Sequence, residues 1–80
     1  MEAQFQKQIF EIGLAFRAAR EAQGLTLQVV HEAIGFSAAY LSNIERGLRP
    51  HRLQTLQEIA NYLKVDISEA MRALREDSAA

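Results

Sequence analysis

The sequence predicts an all-α domain of five helices, and three observations lead there. Apolar residues recur at helical spacing along the chain, and no stretch alternates strongly enough to be a strand. The helical segments are punctuated by residues that end or start helices. Gly24, Gly35 and Gly47 can enter the left-handed backbone region, and Thr26, Ser37 and Asp66 carry oxygens that can cap the following helix. Finally, 49% of the 80 residues are hydrophobic, enough for one helical core in one small domain.

The first helix is expected from about Glu2 or Ala3 to Gln23, with Gly24 as its stop. Phe5, Ile9, Ile12, Phe16 and Ala19 form one stripe along it. Phe10 and Leu14 lie on a neighbouring stripe, so this helix is apolar over more of its girth than one core needs. Thr26 caps a second helix over about Leu27–Ile34, whose face is Leu27, Val30 and Ile34. Gly35 gives a sharp turn, and Ser37 caps a third helix over about Ala38–Arg46, with Tyr40, Leu41 and Ile44 on its apolar side. Leu48–Arg52 connect onward, and Pro50 holds Arg49 extended. A fourth helix over about Leu53–Leu63 carries Leu53, Leu56, Ile59, Ala60 and Leu63 on one side. The fifth is expected to open on a capping box, Asp66 with Glu69, and to present Ile67, Ala70, Met71 and Leu74. Ser78-Ala79-Ala80 should fray. The second and third helices, at a steep angle about a glycine turn, make a helix-turn-helix unit over about residues 27–46.

Several function classes drop out. The chain has no cysteine, so neither a disulfide framework nor a thiolate metal site is available. His31 and His51 stand far apart and make a poor metal pair, and no metal or other cofactor is expected. No apolar run approaches the ~20 residues of a membrane span, and Met1–Gln8 does not resemble a signal peptide. The expectation is a cytoplasmic protein with no membrane contact and no evident small-molecule ligand. No paired carboxylates, nucleophile–base set or phosphate-cradling loop suggests an enzyme.

From about Ile12 to Met71 the chain resembles the Cro/repressor (XRE, lambda-repressor-like) helix-turn-helix family. The most specific stretch is YLSNIERG at Tyr40–Gly47, with further echoes in IGLAFRAAREAQGLT at Ile12–Thr26 and LQTLQEIANYLKVDISEAM at Leu53–Met71. The resemblance implies a compact five-helix domain that binds double-stranded DNA as a homodimer. It also implies a partly buried ion pair between Arg20 and Glu45, tying the first helix to the recognition helix. The positions that would enter the major groove are Ser37, Ala38, Ala39, Ser42 and Asn43. Asparagine can make a bidentate contact to adenine, and alanine can meet a thymine methyl. Two successive alanines depart from relatives that carry glutamine or arginine there, so specificity would lean on Asn43 and on DNA shape. The competing reading of this face is a solvated or protein-binding helix side. Ser37, Tyr40, Arg46, Arg49 and Arg52 are the phosphate-contact candidates.

Charge qualifies this picture. Nine Lys and Arg against ten Asp and Glu give a net charge of −1, whereas phosphate contacts favour a basic domain. Within Ser37–Gln54, however, Arg46, Arg49 and Arg52 outweigh Glu45, making that window +2 and leaving −3 for the rest. Two further departures fall on the second helix. Most relatives place glutamine at Leu27, so a backbone contact is lost there. At His31, where most place alanine, the ring either splays the helices or lies sideways and bonds a carbonyl; a pH-sensing role is a third option. The surplus apolar residues suggest a dimer interface on the fifth helix, at Ile67, Met71 and Leu74 (about residues 66–76), joined by Phe10 or Leu14 of the first.

The expected function is a sequence-specific transcriptional regulator, of repressor or controller type, acting as a homodimer on a palindromic operator. The alternative is a protein-interaction module, or an antitoxin-like partner binder, that keeps the fold with weak DNA binding.

Overall fold

The computed structural model describes the backbone of residues 2–48 and 52–79 and the side chains of residues 6–48 and 52–74. Five helices follow in order: α1 (Glu2–Ala22), α2 (Leu27–Ile34), α3 (Ala38–Glu45), α4 (Leu53–Leu63) and α5 (Ser68–Ala79). No strand occurs among the described residues.

Long α1 is the element around which the others assemble. It packs against α3, α4 and α5, while α2 packs against α3. Ile9, Ile12 and Phe16 place one face of α1 in the core, and each is at most 2% exposed. Leu41 and Ile44 meet them from α3, Leu56, Ile59, Ala60 and Leu63 from α4, and Val30 from α2.

The α1–α3 contact is made by backbone. A Cβ added to Gly13 would lie 2.5 Å from the carbonyl oxygen of Ile44 and 2.6 Å from that of Glu45. Glycine in a helix interior is ordinarily a cost of about 0.5–1 kcal/mol. Here it lets the two helix backbones touch, an approach that a methyl group would prevent.

The helix ends follow the local chemistry. Thr26 caps α2 by accepting the Val29 N–H at 3.1 Å, and Ser37 caps α3 by accepting the Tyr40 N–H at 3.1 Å. Gly35 closes α2 at φ +86° and donates its N–H to the carbonyl of His31. α4 ends differently, on Lys64 in the left-handed region at φ 61°. The N–H groups of Lys64 and Val65 both turn back to the Ala60 carbonyl. Gln23 Nε2 donates to the Leu63 carbonyl at 2.8 Å, so the end of α1 satisfies an orphan acceptor at the end of α4.

Two expectations for α5 need correction. Asp66 is not its N-cap. The Ile67 carbonyl accepts the first helical bond, from Met71 at 2.8 Å. Asp66 sits one residue earlier and accepts the backbone N–H of Ser68 at 2.9 Å and also the Ser68 hydroxyl. These bonds hold the exposed Asp66 carboxyl below the usual carboxylate range. The second is the dimer surface expected at Ile67, Met71 and Leu74, which is buried within the chain. Their exposures are 6%, 2% and 0%, because α5 docks on α1 through this stripe. These side chains complete the monomer's own core and are not available to a second copy.

Gly13→Ala tests the backbone contact. Helix propensity alone would make alanine stabilising by ~1 kcal/mol. The clash should reverse that sign and destabilise by roughly 1–3 kcal/mol, read as a lower urea midpoint with unchanged slope.

Candidate nucleic-acid interface

The α2–α3 unit presents one side of α3 outward, and helical geometry dictates which. Leu41 and Ile44 point into the core. At about 100° per residue, the opposite stripe is Ala39, Ser42, Asn43 and Arg46. Ala39 and Arg46 are exposed, and Ser42 and Asn43 are half-buried. The Asn43 amide makes no side-chain hydrogen bond among the described residues, which leaves both edges of its fork for a ligand. Ala38 is half-buried at the helix start.

Polar groups at the start of α3 are already committed in part. Ser37 Oγ accepts the Tyr40 N–H, yet its own proton remains to be donated. Tyr40 is half-buried, its ring 5.6 Å from that of Phe36 at an interplanar angle of 55°. Phe36 in turn is held by His31, whose Nδ1–H donates to the Phe36 carbonyl at 2.9 Å. His31 therefore lies sideways under the turn and satisfies one of its carbonyls. Leu27 is packed against the core, leaving its neighbour Gln28 exposed in the first turn of α2. Gln28 Nε2 donates to Glu32 Oε1 at 3.4 Å along the outer face of α2.

The basic groups bracket the chain that follows α3. Arg46 is the exposed C-cap residue of α3. Arg52 is the exposed residue before α4, with no side-chain capping bond to hold it. Arg49 and His51 lie outside the described residues.

Arg20 fixes how this surface sits on the rest of the molecule. Its Nε donates to Glu45 Oε2 at 2.8 Å and its Nη2 to Oε1 at 3.1 Å, a fork-to-fork pair. The remaining Nη1 donates to the Leu25 carbonyl at 2.8 Å. One guanidinium thus joins α1, the turn entering α2 and the last residue of α3. The side chains are only 13% and 10% exposed. Hydrogen bonding to Glu45 raises the Arg20 pKa above its ordinary value despite opposing desolvation, so the cation persists at any working pH.

Among the described residues, no cluster of His, Asp and Glu could hold a metal, and no helix is long and apolar enough to cross a membrane. What the fold and the outward face of α3 define is a helix-turn-helix domain. Residues 11–74 match the family model for that domain. The chain is also similar to the uncharacterized HTH-type transcriptional regulator y4dJ of Sinorhizobium fredii. The two are 43% identical over 54 residues, covering 68% of this chain and 70% of the relative. No solved structure matches the chain. The chain belongs to the helix-turn-helix family.

Arg20→Ala or Glu45→Ala alone should destabilise by at most about 3–5 kcal/mol, since each leaves a partly buried charge unpaired. Replacing both with apolar residues of similar volume should cost much less. Chemical denaturation of the two single variants and the double variant measures the difference.

Proposed function

We propose that the protein is a sequence-specific DNA-binding transcriptional regulator, acting as a homodimer on a palindromic operator. One observation carries the reading: the outward stripe of α3 joins a hydrogen-bonding amide, Asn43, to an arginine, Arg46, on the helix that a helix-turn-helix unit lays in the major groove. The 43% identical relative described as a transcriptional regulator supports it.

In this reading Asn43 pairs with an adenine edge, Ser42 contacts a neighbouring base, and Ala38 and Ala39 meet thymine methyls. Arg46, Arg49 and Arg52 contact phosphates, joined by the hydroxyls of Ser37 and Tyr40. A face with so few long donors reads few bases directly, so sequence-dependent shape supplies part of the discrimination. Two copies about 34 Å apart then supply the site length that a single unit lacks.

A second reading, a protein-interaction module, draws support from the alanine pair and from the −3 charge outside the Ser37–Gln54 window. Salt dependence separates the two. Replacing Arg46, Arg49 and Arg52 by alanine should weaken binding to specific and random duplex alike. The slope of log affinity against log salt should flatten by about 1 per lost contact. A triple variant that holds DNA as firmly as its parent favours the interaction module.

Asn43→Ala should cost roughly 1–3 kcal/mol at a single base position and relax preference there. Selection from a random duplex library with each variant reads this out; an unchanged preferred sequence removes Asn43 from the reading face.

A further inference from the structure

The outer face of α1 carries a pattern that the monomer does not use. Lys7, Phe10, Leu14, Arg17 and Glu21 follow at alternating intervals of three and four residues, the spacing of a seam between two helices. All five are exposed, and Phe10 and Leu14 remain 50% and 48% exposed in spite of being large and apolar. The core face of α1, through Ile9, Ile12 and Phe16, lies on the other side of the helix.

The charges along this seam are antisymmetric about Leu14. Lys7 and Glu21 lie equally far from it in opposite directions and carry opposite charges, and so do Glu11 and Arg17. A two-fold axis through Leu14 that lays a second α1 antiparallel makes every pair complementary. Lys7 then faces Glu21 of the partner subunit, and Glu11 faces Arg17 of the partner subunit. Leu14 meets its own copy, and Phe10 lies over Ala18 of the partner subunit, a small exposed residue that leaves room for a ring. A parallel alignment would instead set each charge against its like. Arg17 already pairs with Glu21 of its own chain at 3.3 Å, an exposed contact worth little by itself. In the antiparallel seam that pair becomes the centre of a four-charge row.

We propose that this seam is the homodimer interface: a second copy of the chain docks antiparallel along α1 about an axis at Leu14. The inference rests on the homodimeric reading above and specifies where the copies meet. The apolar patch continues from α1 toward α3. Gly47 is packed so closely on Phe10 that a Cβ there would lie 2.9 Å from the Phe10 Cα, and the next residue, Leu48, is 55% exposed. Gly13, beside Leu14, touches the C-terminal carbonyls of α3.

The absence of cysteine makes the arrangement directly testable by single-cysteine cross-linking of the full chain. Leu14→Cys should form a disulfide-linked dimer under mild oxidation far faster than Gln57→Cys, an exposed control on α4. A mixture of Lys7→Cys and Glu21→Cys chains should cross-link to each other in preference to themselves, which only the antiparallel seam allows. Leu14→Glu, with parental helicity, should raise the dimer dissociation constant by roughly tenfold or more in sedimentation equilibrium. Cross-linking of Leu14→Cys no faster than the control, or self-pairing of Lys7→Cys, overturns the seam. If that happens while the parent sediments as a dimer and protects both halves of a palindrome, the homodimeric reading stands without this interface. A parent that is monomeric at the concentration at which it binds DNA overturns both.

Discussion

Glu45 ends α3 where the helix's own unpaired carbonyls already concentrate negative charge. A carboxylate there is held only because Arg20 reaches across from α1 and grips both of its oxygens. The same guanidinium takes the carbonyl of Leu25, so the entry to α2 is positioned by the group that positions the end of α3. Two short helices of eight residues each could not hold a fixed crossing on their own hydrogen bonds. They hold it because α1 supplies a shared anchor, and because Gly13 lets α1 come close enough to supply it. Charge pairing and backbone contact thus act at the same point, the C-terminal end of α3.

The electrostatics of the chain are divided. The arginines after α3 offer a local attraction for polyanions, while the remaining surface carries net negative charge. A polyanion would be disfavoured by the net charge of the rest of the chain and favoured beside the arginines that follow α3. Electrostatics of this kind orient more than they bind.

Much of this was legible in the sequence, and the exceptions have physical causes. α2 could be bounded closely because caps and apolar periodicity agree there, Thr26 opening it and Gly35 closing it. The bounds of α4 rest on periodicity alone, with Leu53 to Leu63 holding one face. The start of α5 was misplaced because Asp66 offers a cap oxygen that the structure uses one residue outside the helix. Lys64 gave no warning of a left-handed helix end, since glycine or asparagine ordinarily marks one. Ile67, Met71 and Leu74 look like surplus in the sequence and are core in the structure. A helical wheel shows that a stripe is apolar, but not which neighbour covers it, and here α1 does. Conversely, the surplus on Phe10 and Leu14 was visible from the width of the apolar face of α1 alone. Periodicity places Leu41 and Ile44 inward and so fixes which side of α3 faces out; which of the outward residues meet DNA came from the family resemblance and not from the spacing.

The alanines of α3 carry a consequence for how such a regulator changes over time. Gly13 is closed to substitution by the carbonyls above it, and Arg20 and Glu45 each constrain the other. Ala39 has no such obligation: it is exposed, caps nothing and fills no part of the core. A longer side chain there disturbs no packing, and serine, threonine, aspartate or glutamate lies a single nucleotide change from an alanine codon. If the proposed reading face is right, the part of the surface that chooses a DNA sequence is the part freest to vary. A duplicated copy of the gene could drift to a new binding site while its fold stayed fixed, so the two copies would part in target long before they parted in structure.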